Sequence, residues 1–224
     1  MNTSGGAPLE VFIIGISGAV GALLAHDLTG RGDGVSGLVR REDQRADLAR
    51  RRVEAHVGDI GDMDVEALAL LLSGCDALVY TAGSNGGSRT VTDAVDGEGV
   101  VTALEAASRA GVTRFILVSV LPEAWRERHL GEDEEHYFAV KKLTDVTVTL
   151  SDLDWVILRP SMLVDRAGTG RVALGPAQPH GEIPREDVAA TLAELLHQPR
   201  IRRQILELNE GETPIASAVR ANLR

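Results

Sequence analysis

The sequence predicts an α/β protein built on a doubly wound parallel sheet. Short apolar runs bounded by glycine or charged residues alternate with longer stretches of helical periodicity along the whole chain. Aromatic residues make up 3% of the 224 residues and hydrophobic residues 44%, so the core is expected to consist mainly of aliphatic side chains. No linker or repeat divides the chain, which indicates one domain.

The apolar runs predict the strands, and the periodic stretches between them predict the helices. The predicted strands are 11–15, 35–39, 53–57, 77–82, 115–120, 155–158 and 204–208. The predicted helices are 19–28, 42–52, 64–72, 92–110, 133–151 and 188–196. Residues 1–8 are expected to form a flexible tail, and 9–224 the domain. The glycine- and proline-rich stretch at 168–184 predicts a long loop, a common place for a substrate lid.

Charge and composition exclude several classes of function. The formal net charge of −10 argues against nucleic-acid and anionic-membrane partners, and no apolar stretch reaches the ~18 residues of a transmembrane helix. Residues 1–8 lack the pattern of a signal peptide, which favours the cytoplasm. A single cysteine, Cys75, and dispersed histidines predict no metal site. The expected partner is a small molecule, and the expected state is a monomer or a homodimer.

A glycine-rich turn follows the first predicted strand. Glycine permits a tight turn and a close approach of the backbone to phosphate, and the helix N-terminus that follows presents unpaired N–H groups. The spacing is G-x-x-G-x-x-G and leads directly from a strand into a helix. This context predicts a Rossmann-like dinucleotide site on Gly15, Ser17, Gly18, Ala19, Val20 and Gly21.

The residues after the second strand indicate which dinucleotide binds. An acidic residue at this place accepts hydrogen bonds from the ribose of NAD, whereas arginine accommodates the 2′-phosphate of NADP. The chain has Arg40 and Arg41 here, and its first acid is Glu42. Guanidinium groups bind phosphate through two parallel hydrogen bonds. The sequence therefore predicts NADP(H) as the cofactor, with NAD(H) as the second choice.

Several short stretches resemble the atypical branch of the short-chain dehydrogenase/reductase superfamily, close to its NmrA-like and flavin-reductase-like single-domain proteins. They are the glycine turn, Gly-Asp-Ile at 58–60, Thr-Ala-Gly at 81–83, Val-Asp-Gly-Glu-Gly at 95–99, Arg-Phe-Ile-Leu-Val-Ser at 114–119, Tyr-Phe-Ala-Val-Lys at 137–141, Asp-Trp-Val-Ile-Leu-Arg-Pro at 154–160 and Arg-Glu-Asp-Val-Ala at 185–189. The resemblance implies that the cofactor meets Asp59, Ile60, Ala82 and Gly83.

Tyr137 and Lys141 are the candidate catalytic pair. Four residues apart, they share one face of a helix, and a nearby ammonium is expected to lower the pKa of the phenol. Such a phenol can give a proton to a carbonyl oxygen while nicotinamide supplies hydride. The resemblance adds that lysine binds the nicotinamide ribose. Ser119, which ends the fifth strand, is the third candidate, although relatives commonly have two serines here and this chain has Val120.

These residues predict an NADP(H)-dependent oxidoreductase that reduces a small carbonyl, quinone or flavin-like substrate by hydride transfer. The substrate side is expected within 120–185. The alternative is a non-catalytic NADP(H) sensor that regulates a protein partner, which Val120 favours. A sugar-nucleotide epimerase ranks third, because the part after Pro160 looks too short for a nucleotide-sugar lobe.

Overall fold

The computed structural model describes residues 7–84, 87–121, 123 and 129–224, so most of the predicted tail at 1–8 lies outside the described residues. The strands are β1 (Glu10–Ile14), β2 (Gly34–Val39), β3 (Glu54–Val57), β4 (Ala77–Tyr80), β5 (Arg114–Val118), β6 (Asp154–Pro160), β7 (Met162–Val164), β8 (Arg171–Gly175), β9 (Glu182–Pro184), β10 (Gln204–Glu210) and β11 (Thr213–Pro214). The helices are α1 (Ala19–Arg31), α2 (Glu42–Ala49), α3 (Val65–Leu71), α4 (Arg89–Thr92), α5 (Gly99–Ala110), α6 (Glu132–Thr149), α7 (Arg185–Leu196) and α8 (Ile215–Arg220).

Nine strands form one sheet in the order β11-β8-β10-β6-β5-β4-β1-β2-β3. All pairs from β10 to β3 are parallel, while β8 runs antiparallel to both β10 and β11. The chain moves outward from β1 to β3 and then returns to build the other half from β4. This reversal between β1 and β4 opens a crevice at the carboxyl ends of the strands, where doubly wound sheets bind ligands. The predicted α/β fold is confirmed.

The core lies on both faces of this sheet. In β1, Val11 and Ile13 point to one face while Phe12 and Ile14 point to the other, as the two-residue period of a strand requires. The first face packs against α1, α7 and α8, and the second against α3, α5 and α6. Because both faces are covered, the central strands are buried along nearly their whole length.

The loop predicted at 168–184 is wrong in part, since β8 and β9 lie within it. β8 joins the main sheet beside β10, and β9 pairs with β7 in a separate two-stranded sheet. Each strand contains only three to five residues between glycines or prolines, so its local pattern was too short to predict. The hydrogen bonds that define them come from distant parts of the chain.

The helix predicted at 92–110 is interrupted by a π-helical segment, Asp93–Glu98, between α4 and α5. Gly99 allows Tyr80 to approach, because a Cβ there would lie 2.8 Å from the Tyr80 hydroxyl oxygen. That hydroxyl donates a 2.5 Å hydrogen bond to the carbonyl oxygen of Val95 inside the segment. Such π-helical turns are frequent at functional sites, and this one carries the fully buried Asp96.

Candidate functional site

A cavity of about 710 Å³ fills the crevice at the carboxyl ends of the central strands. Its walls come from the turn after β1, the end of β2, the segments after β3, β4 and β5, one face of α6, and the connections after β6 and β9. The strand order sets its long direction. Arg40, after β2, lies toward one end, and Pro160–Leu163 with Arg185 lie toward the other.

Two of the three glycines in the turn after β1 are required by close packing. Gly15 has a φ of +92°, and a Cβ there would lie 2.5 Å from the Ala82 backbone nitrogen. A Cβ on Gly21 would lie 2.2 Å from the Gly15 carbonyl oxygen, so Gly21 lets α1 pack onto the turn. Gly18 has ordinary extended backbone angles and an exposed position on the cavity wall. Its lack of a side chain keeps that wall open.

The two arginines after β2 have different surroundings. Arg40 is exposed and lines the cavity. Arg41 is absent from the cavity wall, and its Nε donates to Asp43 Oδ1 at 3.1 Å. This hydrogen bond lowers the pKa of the Asp43 carboxyl. Arg40 is therefore the arginine within reach of a ligand in the cavity.

Gln44 is a cavity residue that sequence reasoning missed. Its Oε1 accepts hydrogen bonds from the backbone N–H groups of Arg40 and Arg41, both at 3.1 Å, and its Nε2 donates to Ser17 Oγ at 3.2 Å. Gln44 thereby joins the end of β2 to the glycine turn. The sequence pattern for such a capping glutamine has Ser or Thr at the N-cap, whereas this chain has Arg41 there, so the sequence carried only half of that signal.

The segments after β3 and β4 also line the cavity. Asp59 lines the cavity and also accepts a 3.1 Å hydrogen bond from the Gly61 N–H, which starts a 3₁₀ turn at Ile60–Asp62. Ile60 is buried beneath it. Ala82 and Gly83 follow β4, and the Ala82 N–H donates to the Ile14 carbonyl oxygen at 3.1 Å. All four residues that the resemblance assigned here line the cavity.

Lys141 reaches the cavity from α6 as half of a buried ion pair. Its Nζ lies 3.2 Å from Asp96 Oδ1, and the two side chains are 3% and 0% exposed. The ammonium also donates to the Val118 carbonyl oxygen at 3.3 Å, which fixes it at the end of β5. The other oxygen of Asp96 accepts from the Ser84 N–H at 2.9 Å. Sequence reasoning missed Asp96, because its inward position depends on the π-helical turn.

Tyr137 lines the same cavity on the face of α6 that carries Lys141. The pKa of its phenol is raised, first by burial and second by the negative charge of Asp96. The expected lowering of this pKa by Lys141 is wrong, because the Lys141 ammonium is paired with Asp96 and the site is desolvated. The phenol therefore stays protonated well beyond neutral pH.

Ser119 belongs to the cavity wall, but its hydroxyl oxygen is buried and has no hydrogen-bond partner within normal geometry. It faces Asp145. Burial raises the pKa of the Asp145 carboxyl, whereas the Ser119 hydroxyl and Arg159 lower it. Arg159 Nε donates to Asp145 Oδ2 at 2.9 Å. Ser119 thus lines the cavity, while its hydroxyl oxygen is buried toward Asp145 and Arg159.

The structure brings nearly all predicted site residues to one cavity. The exceptions are Gly21, which packs α1 on the turn, and Arg41, which pairs with Asp43. Those that line it are Gly15, Ser17, Gly18, Ala19, Val20, Arg40, Asp59, Ile60, Ala82, Gly83, Ser119, Tyr137 and Lys141. Within the described ranges no cluster of three or more His, Cys, Asp or Glu side chains is arranged to hold a metal ion.

Residues 15–199 match the model of a family described as NAD(P)H-binding. The chain belongs to this NAD(P)H-binding family. Its resemblance to the atypical branch of the short-chain dehydrogenase/reductase superfamily is confirmed.

Three proteins to which this chain is similar have different descriptions. The uncharacterized sugar epimerase YhfK of Bacillus subtilis is 35% identical over 95% of this chain and 99% of its own length. The crystal structure of the oxidoreductase ylbE from Lactococcus lactis is 27% identical with a TM-score of 0.82, over 95% of this chain and 96% of that one. ChuY, an anaerobillin reductase from Escherichia coli O157:H7, is 28% identical with a TM-score of 0.75, over 91% and 98%.

The residues present in this NAD(P)H-binding protein fit a dinucleotide. Helix α1 begins at Ala19 without a side-chain cap and has no acidic residue in its first turn. Its first N–H groups therefore lie beside the cavity without a side-chain acceptor, as a bound pyrophosphate requires. Ser17, Gly18 and Val20 complete this cradle, and Arg40 supplies a cation near its end.

In the described part of the chain, no helix is both long and apolar enough to cross a membrane.

Proposed function

We propose that this protein is an NADP(H)-dependent oxidoreductase that reduces a small carbonyl, quinone or flavin-like substrate. The observation that carries the proposal is the continuity of one cavity. It joins the glycine turn and Arg40 to Tyr137 and Lys141. The wall that fits a dinucleotide is therefore continuous with the wall that carries a proton donor. ChuY and ylbE, named as a reductase and an oxidoreductase, support the same reading.

NADPH, when bound, supplies the hydride, and the residues of the chain supply the remaining functions. The N–H groups at the start of α1 and the Arg40 guanidinium hold phosphate groups. Lys141, fixed by Asp96 and the Val118 carbonyl oxygen, keeps a positive charge at the end of β5. Tyr137 carries the proton that a reduced carbonyl oxygen needs, and its raised pKa keeps that proton in place before the reaction.

The preference for NADP(H) over NAD(H) is also a proposal. Arg40 lines the end of the cavity beyond β2, where the adenine ribose of a dinucleotide lies in this fold. Glu42, the first acid after β2, is exposed and forms an ion pair with Arg45 on the surface of α2. A 2′-phosphate is therefore favoured at this end by a cation.

The test is an NADPH oxidation screen with aldehydes, quinones and flavins, followed by Tyr137→Phe. We expect this variant to lower turnover by about 10²–10⁴-fold, because general acid catalysis contributes that much. Its NADPH affinity should stay unchanged, since the phenyl ring retains the packing. Leu143→Ala is the control, because Leu143 is exposed on the same helix and does not line the cavity, so turnover should stay unchanged. Unchanged turnover in Tyr137→Phe would assign the proton to another group or to water.

A non-catalytic NADP(H) sensor is the second candidate, and the state of Ser119 favours it. The Ser119 hydroxyl oxygen is buried, and its neighbour Val120 offers no replacement. Tight NADPH binding without oxidation of NADPH by any class of acceptor would support the sensor. An epimerase is supported only by the printed name of YhfK. The residues after Pro160 mostly add strands and helices to the same domain rather than forming a separate lobe.

A further inference from the structure

The end of the cavity away from Arg40 is built from three segments that are close in space and distant in sequence. The first runs from Pro160 at the end of β6 to Leu163 in β7, the second contains His180 before β9, and the third is Arg185 at the start of α7. Two hydrogen bonds join the first of these segments to the second. The Met162 N–H donates to the Gly181 carbonyl oxygen at 3.0 Å, and the Gly181 N–H donates to Ser161 Oγ at 3.3 Å.

No acidic residue lines this end of the cavity, among the residues that the structure describes. Among the described lining residues, Asp59 is the single acid, and it follows β3, which pairs with β2 on the Arg40 side of the sheet. Arg185 and His180 line the end opposite Arg40, with Lys141 and its buried partner Asp96 nearer the middle. The whole chain carries a formal charge of −10. A cationic wall on an acidic protein concentrates anionic ligands at that wall.

Arg185 is held in place by the turn on which it sits. Asp187, two residues later and 2% exposed, accepts hydrogen bonds from the N–H groups of Thr169 and Gly170 at 2.9 and 2.8 Å. Glu186 accepts from the Gly168 N–H at 2.7 Å. Both acids of the first turn of α7 are thereby bound to the 168–170 backbone, while the arginine lines the cavity. The start of α7 cannot shift without breaking these bonds.

The current partner of Arg185 is easily exchanged. Its Nη1 donates to Asp165 Oδ1 at 2.7 Å, with side chains 26% and 84% exposed. An ion pair with so exposed a carboxylate contributes little, because water solvates the carboxylate equally well. A guanidinium has five N–H donors, so a ligand anion can bind beside Asp165 or displace it.

We propose that the substrate of this site carries an anionic group, a carboxylate or a phosphate, that binds the Arg185 guanidinium. This inference rests on the proposed reductase function, because the bound anion is a substrate only if the protein is an enzyme. Phe138, Met162 and Leu163 are apolar residues of the same cavity wall and suit the uncharged body of such a molecule. Arg185 is then the residue that determines preference for anionic substrates, while Tyr137 donates the proton.

The first experiment measures binding and needs no turnover. Benzoate, phenyl phosphate and the neutral benzamide are titrated by calorimetry into the protein saturated with NADP⁺, which blocks the phosphate-binding wall at Arg40. We expect one anion to bind more tightly than benzamide, and to lose roughly tenfold or more in Arg185→Met. Arg166→Met is the matched control, since Arg166 pairs with Glu210 outside the cavity. The tighter of the two anions identifies the chemical group.

The second experiment measures preference in turnover. Two ratios of kcat/KM compare an anionic substrate with a neutral analogue. The first is 4-carboxybenzaldehyde over methyl 4-formylbenzoate, and the second is pyridoxal 5′-phosphate over pyridoxal. Arg185→Met should reduce one of these ratios roughly tenfold, whereas Arg166→Met should leave both unchanged. Anion binding that depends on Arg185, with no acceptor reduced, would overturn the reductase and keep the anion site. Anion binding no tighter than that of benzamide, or unchanged in Arg185→Met, would overturn the anion site and leave the reductase standing.

Discussion

Arg40 and Arg41 are adjacent and carry the same charge, yet only one of them lines the cavity. The difference comes from α2, because Arg41 is its N-cap residue and its side chain turns to Asp43 in the first turn of that helix. Arg40 remains at the end of β2, where its backbone N–H is held by Gln44. Two identical residue types thus differ in accessibility to a ligand.

Arg40→Ala is expected to weaken NADP(H) binding by roughly 10- to 150-fold, because a charge-assisted contact contributes about 1.5–3 kcal/mol. NAD(H) affinity should be nearly unchanged, since that cofactor lacks the 2′-phosphate. Arg41→Ala is the control and should alter either affinity by less than about fivefold, because its ion pair with Asp43 is exposed. Calorimetry with both cofactors measures this, and equal losses in the two variants would contradict it.

The Asp96–Lys141 pair provides a test of stability. Asp96→Ala leaves a buried ammonium without its carboxylate and should lower the free energy of unfolding by about 3–5 kcal/mol. The double variant Asp96→Leu with Lys141→Met leaves neither charge unpaired. Its loss in free energy of unfolding should therefore be smaller than the sum of the losses in the single variants Asp96→Leu and Lys141→Met. Asp93→Ala, at the exposed neighbour that contacts His136, should cost much less. Urea unfolding measures each value, and additive losses would show that the pair is not coupled.

The sequence predicts some of the helices and turns that position these side chains and gives no sign of others. The glycine turn predicts the start of helix α1. Gly32 follows the last residue of this helix, and its φ of +94° is the left-handed conformation that commonly terminates helices. The π-helical segment Asp93–Glu98 has no comparable signal, yet it directs Asp96 toward Lys141. The first turn of α7 likewise depends on hydrogen bonds from residues 168–170.

Gly18 and Gly21 should respond differently to substitution, although both belong to the same motif. Gly18→Val should weaken NADPH binding sharply and keep the fold, because its Cβ would meet only the Gly15 carbonyl oxygen, at 3.1 Å, while its branches enter the cavity wall. Gly21→Ala should lower the free energy of unfolding by about 1–3 kcal/mol, since its Cβ would lie 2.2 Å from that oxygen. Calorimetry and urea unfolding separate the two effects. A Gly18→Val variant with full affinity would remove Gly18 from the phosphate cradle.

At the scale of the whole molecule, five strands of the main sheet contribute to one cavity. Because β1, β2, β4, β5 and β6 all end at it, a ligand bound there contacts segments that separate only when the domain unfolds. The cavity wall also combines cations at its two ends, Arg40 and Arg185, in a protein with a net charge of −10. Binding should therefore stabilise the domain as a unit.

NADP⁺ at 100 times its Kd is expected to raise stability by about 2.7 kcal/mol. For a domain of this size that corresponds to an increase in Tm of about 5–11 °C. NAD⁺ at the same concentration should give a smaller increase, and Arg40→Ala should abolish the difference between the two cofactors. Thermal unfolding followed by circular dichroism provides the measurement. Equal shifts with NADP⁺ and NAD⁺ in the wild-type protein would contradict the preference for NADP(H).

The sequence by itself determined the doubly wound sheet and the position of the glycine turn. Both are local properties, because strand and helix periods and the glycines at 15, 18 and 21 act over a few neighbouring residues. The resemblance supplied Asp59, Ile60, Ala82 and Gly83, and all four line the cavity. Strands β8 and β9 escaped prediction, since residues far away in the sequence supply their hydrogen bonds.

Only the tertiary structure decided the state of each candidate side chain. Tyr137 and Lys141 share a helical face, as their spacing predicts, but burial of the phenol, and second the negative charge of Asp96, raises its pKa instead of lowering it. Ser119 ends its strand as predicted, yet its hydroxyl oxygen is buried toward Asp145. Burial and charge at a site depend on residues distant in the chain, and a short motif does not contain that information.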